Sequence, residues 1–177
     1  HLGVRRQRQM CIRDRITKGS VDYVREQIKN GVDAIMIFDT WGGLLSGDNY
    51  EKFSLNYIQK IISSTCTEGV PVIYYSRSKS NFDKLKNLDI DCIGISSENN
   101  LGDMYKFFDE KFAIQGNLNT DILKENKDTI KKGVIKTLET FPFETGHVFN
   151  LGTGITPDIH PDKVSYLVDQ VRELSVK

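Results

Sequence analysis

The chain has 177 residues, 38% of them hydrophobic and 10% aromatic, which is enough for one domain with a buried core. Its 24 basic and 24 acidic side chains give a formal net charge of zero, which excludes a global field that would gather nucleic acid or an anionic membrane. No apolar run approaches the roughly 20 residues that cross a bilayer, and the first residues lack a secretory signal, so we expect a cytoplasmic protein that binds neither nucleic acid nor membrane.

The cysteines and histidines do not form a metal-binding pattern. Cys11, Cys66 and Cys92 are odd in number and widely spaced, which predicts buried free thiols and no disulfide framework. The three histidines have no Cys or Glu partners at ligand spacing. The sequence therefore predicts no metal site.

The opening residues, HLGVRRQRQMCIRDR, differ from the rest of the chain. They carry five arginines against one acid and have no periodic apolar face. Such a composition is typical of a basic arm, and a transit peptide is a second reading, although this stretch has no serine. We interpret residues 1–15 instead as an artefactual tail, the translation of a sequencing adapter, and we place the domain at residues 16–177.

The first regular element is a predicted helix that begins near Ser20. Val21, Val24 and Ile28 share one helical face, and Gly31 is a typical stop. The next segment, DAIMIF, is a continuous apolar run, as in a strand that is covered on both faces. A loop and a second helix, from about residue 50 to residue 66, follow it.

The strand and helix pattern then repeats to the end of the chain. The later predicted strands are VPVIYYS, DCIGIS, FAIQGN and HVFNLGTG. The helices between them are NFDKLKNL, LGDMYKFFDE and residues 120–141 with a break near Asn126, and a last helix begins at Pro161. This alternation predicts an α/β fold with parallel strands, either a doubly wound sheet or a (β/α)8 barrel.

The candidate functional residues follow the strands. Four strand ends are rich in glycine, hydroxyl or amide side chains: Asp39–Gly43, Ser76–Lys79, Gln115–Asn117 and Asn150–Gly154. Ordinary βα turns also favour these residue types. Because the carboxyl ends of parallel strands carry the sites of such folds, we expect a binding site there.

Three segments resemble the C-terminal half of the uroporphyrinogen decarboxylase family, in the same order and with similar spacing. They are GVDAIMIFDTWGGLLSGDNYEKFSLNYIQKII, FAIQGNLNTDIL and GHVFNLGTGITPDIHPDKVSYLVDQV. The resemblance runs from about Ser20 to Leu174. It implies the C-terminal part of a (β/α)8 TIM barrel, with about five βα units, and it assigns residues 16–177 to that portion.

The resemblance also implies an activity. The family removes CO2 from the four acetate side chains of uroporphyrinogen III, without a cofactor, and gives coproporphyrinogen III in haem biosynthesis. It implies a tetrapyrrole substrate and a homodimer for the full-length protein. The family's main catalytic aspartate and arginines belong to an N-terminal half that has no counterpart here, so the catalytic residues stay unknown.

Substrate-binding residues are carried over position by position. Thr40 falls where the family has a substrate-binding serine or threonine, and Phe38 and Gly42 fall on its pocket wall. Arg77 lies close to a basic residue of many members, and we hypothesise that it pairs with a substrate carboxylate. Thr153 falls where many members carry a histidine, in NLGHG, so a titratable group is replaced by a hydroxyl.

One further departure from the family's pattern and two alternative functions remain open. The segment GISSEN stands where relatives commonly carry GLDW, so any role of that aspartate and tryptophan is not transferred. A zinc-dependent cobalamin-type or coenzyme M methyltransferase of the same barrel superfamily is one alternative, although no HxC pair occurs. The other is a half barrel without activity of its own, because unpaired strand edges invite association.

Overall fold

The computed structural model describes residues 2–65, 69–77, 81–143 and 146–175, and it describes side chains from residue 7 onward. The chain divides into two compact units, His1–Asp91 and Cys92–Lys177. Within the described ranges, no helix combines the length and the apolar character needed to cross a membrane.

The first unit contains two strands and the helical segments around them. Its elements are α1 (Leu2–Lys29), β1 (Ile35–Asp39), a 3₁₀ turn (Gly42–Leu44), α2 (Gly47–Tyr50), a π-helical segment (Glu51–Leu55), α3 (Asn56–Thr65), β2 (Val72–Ser76) and α4 (Phe82–Leu85). The strands β1 and β2 are parallel, with Ile35 opposite Val72 and Asp39 opposite Ser76. Their carboxyl ends therefore lie side by side.

Helix α1 begins much earlier than the sequence pattern predicts. It starts at Leu2, so Ser20 lies inside the helix and does not cap it. The segment has no proline and is rich in Arg and Gln, which favour helices without needing an apolar face. The predicted end is confirmed, because Gly31 has a φ of +86° and its amide donates to the Ile28 carbonyl at 2.9 Å.

The described residues of the second unit form three strands and three α-helices. Its elements are β3 (Cys92–Gly94), α5 (Leu101–Phe107), β4 (Ala113–Leu118), a 3₁₀ segment (Thr120–Lys124), α6 (Lys127–Glu139), β5 (His147–Leu151) and α7 (Pro161–Ser175). Strand β4 pairs in parallel with β3 on one side and with β5 on the other. Gly94, Leu118 and Leu151 are thus the last residues of three neighbouring strands.

The core of the second unit lies where β4, α6 and α7 meet. Ile130 and Val134 on α6 are fully buried. They belong to one hydrophobic cluster with Leu118 of β4 and Leu167 of α7, which are buried as well. The predicted break near Asn126 is confirmed, because its side chain caps α6 by accepting from the Thr129 amide at 2.9 Å. Apolar spacing and one capping residue therefore account for this layer.

The predicted α/β class is confirmed, with five strands that alternate with helices and pair in parallel within each unit. The prediction of buried thiols is wrong for Cys11, which is exposed, because α1 presents that residue to solvent. Cys92 is buried and free as expected. Cys66 lies outside the described residues.

Candidate functional site

The carboxylate of Asp39 organises the chain at the carboxyl end of β1. Its Oδ2 accepts hydrogen bonds from the Ser54 hydroxyl at 2.6 Å and the Tyr74 hydroxyl at 2.8 Å. Its Oδ1 accepts from the Gly42 amide at 3.1 Å. One half-buried side chain thus ties the end of β1 to the following turn, to the π-helical segment and to β2.

A second tyrosine extends this hydrogen-bond chain. The Tyr50 and Tyr74 hydroxyls are 2.8 Å apart, and both side chains are fully buried. Because the Tyr74 proton goes to Asp39, the Tyr50 hydroxyl is the donor between the two tyrosines. Burial raises the pKa of Tyr50 to about 12, and burial with the nearby Tyr50 and Asp39 oxygens raises the pKa of Tyr74 further.

The turn after β1 needs glycine at position 42. A Cβ at Gly42 would overlap the Asp39 carboxylate, so a larger residue would displace the hydrogen bond that closes the turn. Thr40 lies inside this turn and is half-buried. The Phe38, Trp41 and Leu44 side chains are 65%, 73% and 72% exposed, which leaves apolar surface beside Thr40.

Arg77 immediately follows β2 and is exposed. Since Asp39 is opposite Ser76, Thr40 and Arg77 leave adjacent strand ends. The ring of Phe38 packs on that of Tyr75, with centroids 5.9 Å apart. The first unit therefore brings together Phe38, Thr40 and Arg77. Ser78 and Lys79, which belong to the same predicted strand end, lie outside the described residues.

The first unit also contains a cavity of about 550 Å³ between α1, β1 and α3. Its lining is mostly apolar, with Ile16, Met36 and Ile61 among its side chains. The Arg13 guanidinium, also in the lining, lies 4.6 Å from the centroid of the Phe53 ring. This cavity lies along the length of β1 and reaches its carboxyl end, where Phe38 belongs to its lining as well as to the border of the turn.

In the second unit, the end of β5 is fastened to the end of β4. The Gly152 amide donates to the Leu118 carbonyl at 2.8 Å. The Thr120 hydroxyl donates to the Thr153 carbonyl at 2.8 Å, and the two threonine hydroxyl oxygens are 2.9 Å apart. Thr120 is buried and Thr153 is exposed, so the predicted site residue Thr153 is hydrogen-bonded to a buried partner.

The amide of Asn117 connects β4 to the loop that follows β3. Its Nδ2 donates to the carbonyl oxygens of Ser96 and Asn99, at 2.9 and 2.6 Å. Gly152 is buried against this loop, because a Cβ there would lie 2.9 Å from the Ser97 Cβ. Asn117 therefore has a positioning role in addition to any contact with a ligand.

His147 lies at the opposite end of β5 from Thr153. Its Nε2 is 2.7 Å from the Gly116 carbonyl oxygen, and burial lowers the pKa of its ring. Among the side chains that the structure describes, no group of three or more His, Cys, Asp or Glu residues could hold a metal ion.

The sequence pattern did not identify the residues that support the site. Ser54, Tyr50, Tyr74 and Thr120 are buried residues that carry hydroxyl groups. A hydroxyl at a core position is the signal that could have found them, because it needs a hydrogen-bond partner there.

The folded elements and the polar strand ends define an α/β protein whose candidate binding residues follow parallel strands. A family model described as uroporphyrinogen decarboxylase (URO-D) matches residues 8–174. The chain therefore belongs to the uroporphyrinogen decarboxylase family. The match begins inside the basic tail, and α1 continues through residue 15; the origin of the tail stays a prediction.

Curated relatives support the same family. The chain is 38% identical to the uroporphyrinogen decarboxylase of Vesicomyosocius okutanii over 164 residues, which is 91% of this chain and 48% of the relative. It is 38% identical to that of Legionella pneumophila (strain Paris), covering 86% of the chain and 44% of the relative. It is 35% identical to that of Pseudoalteromonas translucida, covering 93% and 48%. The chain spans about half the length of these relatives. The match is consistent with part of a (β/α)8 barrel.

Replacing Asp39 by alanine leaves the buried Ser54 and Tyr74 hydroxyls without their acceptor. We expect the free energy of unfolding to fall by about 2–3 kcal/mol, measured by urea denaturation. Asp33→Ala, at an exposed position ahead of β1, is the matched control and should change stability by less than about 0.5 kcal/mol. Equal losses in the two variants would contradict the role of Asp39.

The buried side chains of Tyr50 and Tyr74 should ionise at a higher pH than a free tyrosine. Their folded pKa lies above the unfolded value of about 10, so their contribution to stability is constant below pH 10 and is lost as pH rises towards 12. In an ultraviolet absorbance titration of the folded chain, we expect a late phase, well above pH 10, from Tyr50 and Tyr74. Tyr50→Phe should remove part of the late phase, and ionisation of all tyrosines near pH 10 would rule the arrangement out.

Proposed function

We propose that this chain binds uroporphyrinogen III through the carboxyl ends of its strands and supplies that part of a decarboxylase that forms coproporphyrinogen III. The observation that carries the proposal is the turn after β1, where Asp39 fixes the backbone while Phe38 and Thr40 border exposed surface. The family match gives the class of reaction. The Thr40 hydroxyl and the apolar ring of Phe38 suit a ligand with polar groups around a flat apolar body.

The chemistry needs a shaped and polar site but no metal or prosthetic group. Protonation of a pyrrole carbon turns the ring into an electron sink. The bond between the acetate methylene and its carboxyl carbon then breaks, CO2 leaves, and the bonding electron pair passes into the ring. The methylene becomes a methyl group, with one proton taken up for each CO2 released. The protein lowers the barrier by stabilising the cationic ring and by orienting the carboxylates.

Arg77 is our candidate for a carboxylate partner in the first unit. Its guanidinium is exposed beside the strand end that carries Thr40, and arginine pairs with carboxylates through two parallel hydrogen bonds. Gly42 is assigned to the wall of the pocket, where its missing side chain leaves room at the turn. Thr153 is our candidate binding residue in the second unit.

We further propose that the 177-residue chain does not turn over substrate by itself. The family's catalytic aspartate and arginines are expected in the half that the chain does not share with its relatives, which are about twice its length. The full-length protein is proposed to be a homodimer, and its cytoplasmic location stays a prediction. Residues 16–177 are proposed as the barrel portion and residues 1–15 as an added tail.

The test is to incubate the purified chain with uroporphyrinogen III under anaerobic, reducing conditions. Equilibrium dialysis measures retained tetrapyrrole, and chromatography of the oxidised products measures coproporphyrinogen. We expect binding without decarboxylation. Phe38→Ala should weaken binding about ten-fold, because it removes a large apolar contact surface.

Tyr23→Ala is the matched control for this experiment. Tyr23 is an exposed aromatic residue on α1, 66% accessible, and it borders the cavity along β1 and not the turn after it. We expect it to bind like the unmodified chain. Absence of binding would refute the tetrapyrrole assignment. Because Phe38 also lines the α1 cavity, weakening by Tyr23→Ala, with or without weakening by Phe38→Ala, would move the site to that cavity. Formation of coproporphyrinogen would refute the proposed inactivity.

A further inference from the structure

The side chain of Tyr75 lies on the more accessible face of β2. Side chains alternate between the two faces of a strand, and on β2 the side chains of Tyr74 and Ser76 are buried, at 0% and 2% exposed. Tyr75, between them, is only half-buried. Because Tyr74 reaches Asp39 from the buried face, Tyr75 points away from the hydrogen bonds of that carboxylate and towards the less covered side of the strand.

Tyr75 forms an aromatic pair with Phe38 on this face. The two residues are opposite each other in the register of β1 and β2, and their ring planes are tilted by 56°. Phe38 also lines the cavity along β1, whereas Tyr75 is not among the described residues of that lining. The pair therefore presents ring surface of the kind that a flat apolar ligand contacts, and its Tyr75 half belongs to the strand end and not to the cavity.

Arg77 brings a positive charge to the same face. It follows Tyr75 by two residues, so the alternation of the strand predicts that both side chains are on one side. Burial raises the pKa of the Tyr75 phenol, and the positive charge of Arg77 opposes that rise, which agrees with their proximity. At neutral pH the phenol is protonated, so both groups carry protons that they can donate. A carboxylate, which only accepts hydrogen bonds, suits two neighbouring donors.

We propose that Tyr75 is a specificity-determining residue: its ring extends the apolar surface of Phe38, and its phenol donates a hydrogen bond to the substrate carboxylate that pairs with Arg77. The inference rests on the proposed function, because it takes a carboxylate-bearing tetrapyrrole as the ligand. Tyr75 combines the two properties that such a ligand needs, a contact for the flat ring and a donor for a carboxylate at its edge. It also fixes where the carboxylate held by the flexible Arg77 side chain lies.

Removal of the Tyr75 hydroxyl tests the proposal. Tyr75→Phe keeps the ring beside Phe38 and deletes only the donor. Binding of uroporphyrin, whose carboxylates are ionised at neutral pH, to the 177-residue chain is measured by calorimetry. We expect Tyr75→Phe to weaken binding about three- to ten-fold. Tyr166→Phe makes the same change at a half-buried tyrosine of α7, and it should leave the affinity within about two-fold of the unmodified chain.

Two measurements with Arg77→Gln separate a shared carboxylate from a structural role. If both side chains bind one carboxylate, Tyr75→Phe should weaken binding by less than about two-fold once Arg77 has been replaced. Without ligand, Arg77→Gln should raise the pKa of Tyr75 further, because a positive charge that favours the phenolate is lost. Carbon-13 NMR of labelled tyrosine side chains follows that titration, with Tyr75→Phe identifying the signal. Circular dichroism of each variant identifies any loss of folding.

The outcomes distinguish the role of Tyr75 from the proposed function. Unchanged affinity in Tyr75→Phe, or a loss that is just as large after Arg77→Gln, would overturn the shared carboxylate while leaving tetrapyrrole binding in place. An unchanged pKa of Tyr75 in Arg77→Gln would overturn the proximity on which the inference depends. If the unmodified chain does not bind uroporphyrin, the proposed function fails, and this inference fails with it. A loss in Tyr75→Phe that depends on Arg77 supports the assignment.

Discussion

The Asp39 carboxylate is the constraint on which the end of β1 depends. A half-buried carboxylate is costly unless its oxygens are hydrogen-bonded, and here it accepts from two hydroxyls and one backbone amide. The same bonds that satisfy the charge fix the turn at Gly42. Because the turn is fixed, Phe38 and Thr40 are held on either side of Asp39 without having to order themselves when a ligand binds.

The second unit obtains a comparable rigidity from neutral groups. Asn117 donates to the loop after β3, and Thr120 donates to the carbonyl of Thr153, so three neighbouring strand ends are connected by side chain to backbone hydrogen bonds. The carbonyl oxygens of Asn99 and Thr153 thereby each accept a hydrogen bond from a side chain. Thr153 faces solvent, and the buried Thr120 hydroxyl orients it through hydrogen bonds. In both units, the candidate residues are positioned by the hydrogen bonds of another side chain, Asp39 in the first unit and Thr120 in the second.

The elements of this fold were predictable because their signals are local. Apolar spacing located the strands. Gly31 indicated the end of α1, and Asn126 indicated the start of α6. The early start of α1 was missed because good helix formers leave no apolar stripe on an exposed helix. The partners of Asp39 were missed for a different reason: Ser54 and Tyr74 are 15 and 35 residues away in sequence, and periodicity carries no information about such contacts.

The central claim is that the strand ends, and not the cavity along β1, bind the tetrapyrrole. Amide chemical-shift mapping of the isotopically labelled chain during titration with uroporphyrin tests it most directly. The account predicts that the largest shifts within the first unit fall on Thr40 and Gly42. Shifts confined to α1 residues that line the cavity, such as Thr17 and Tyr23, would contradict it.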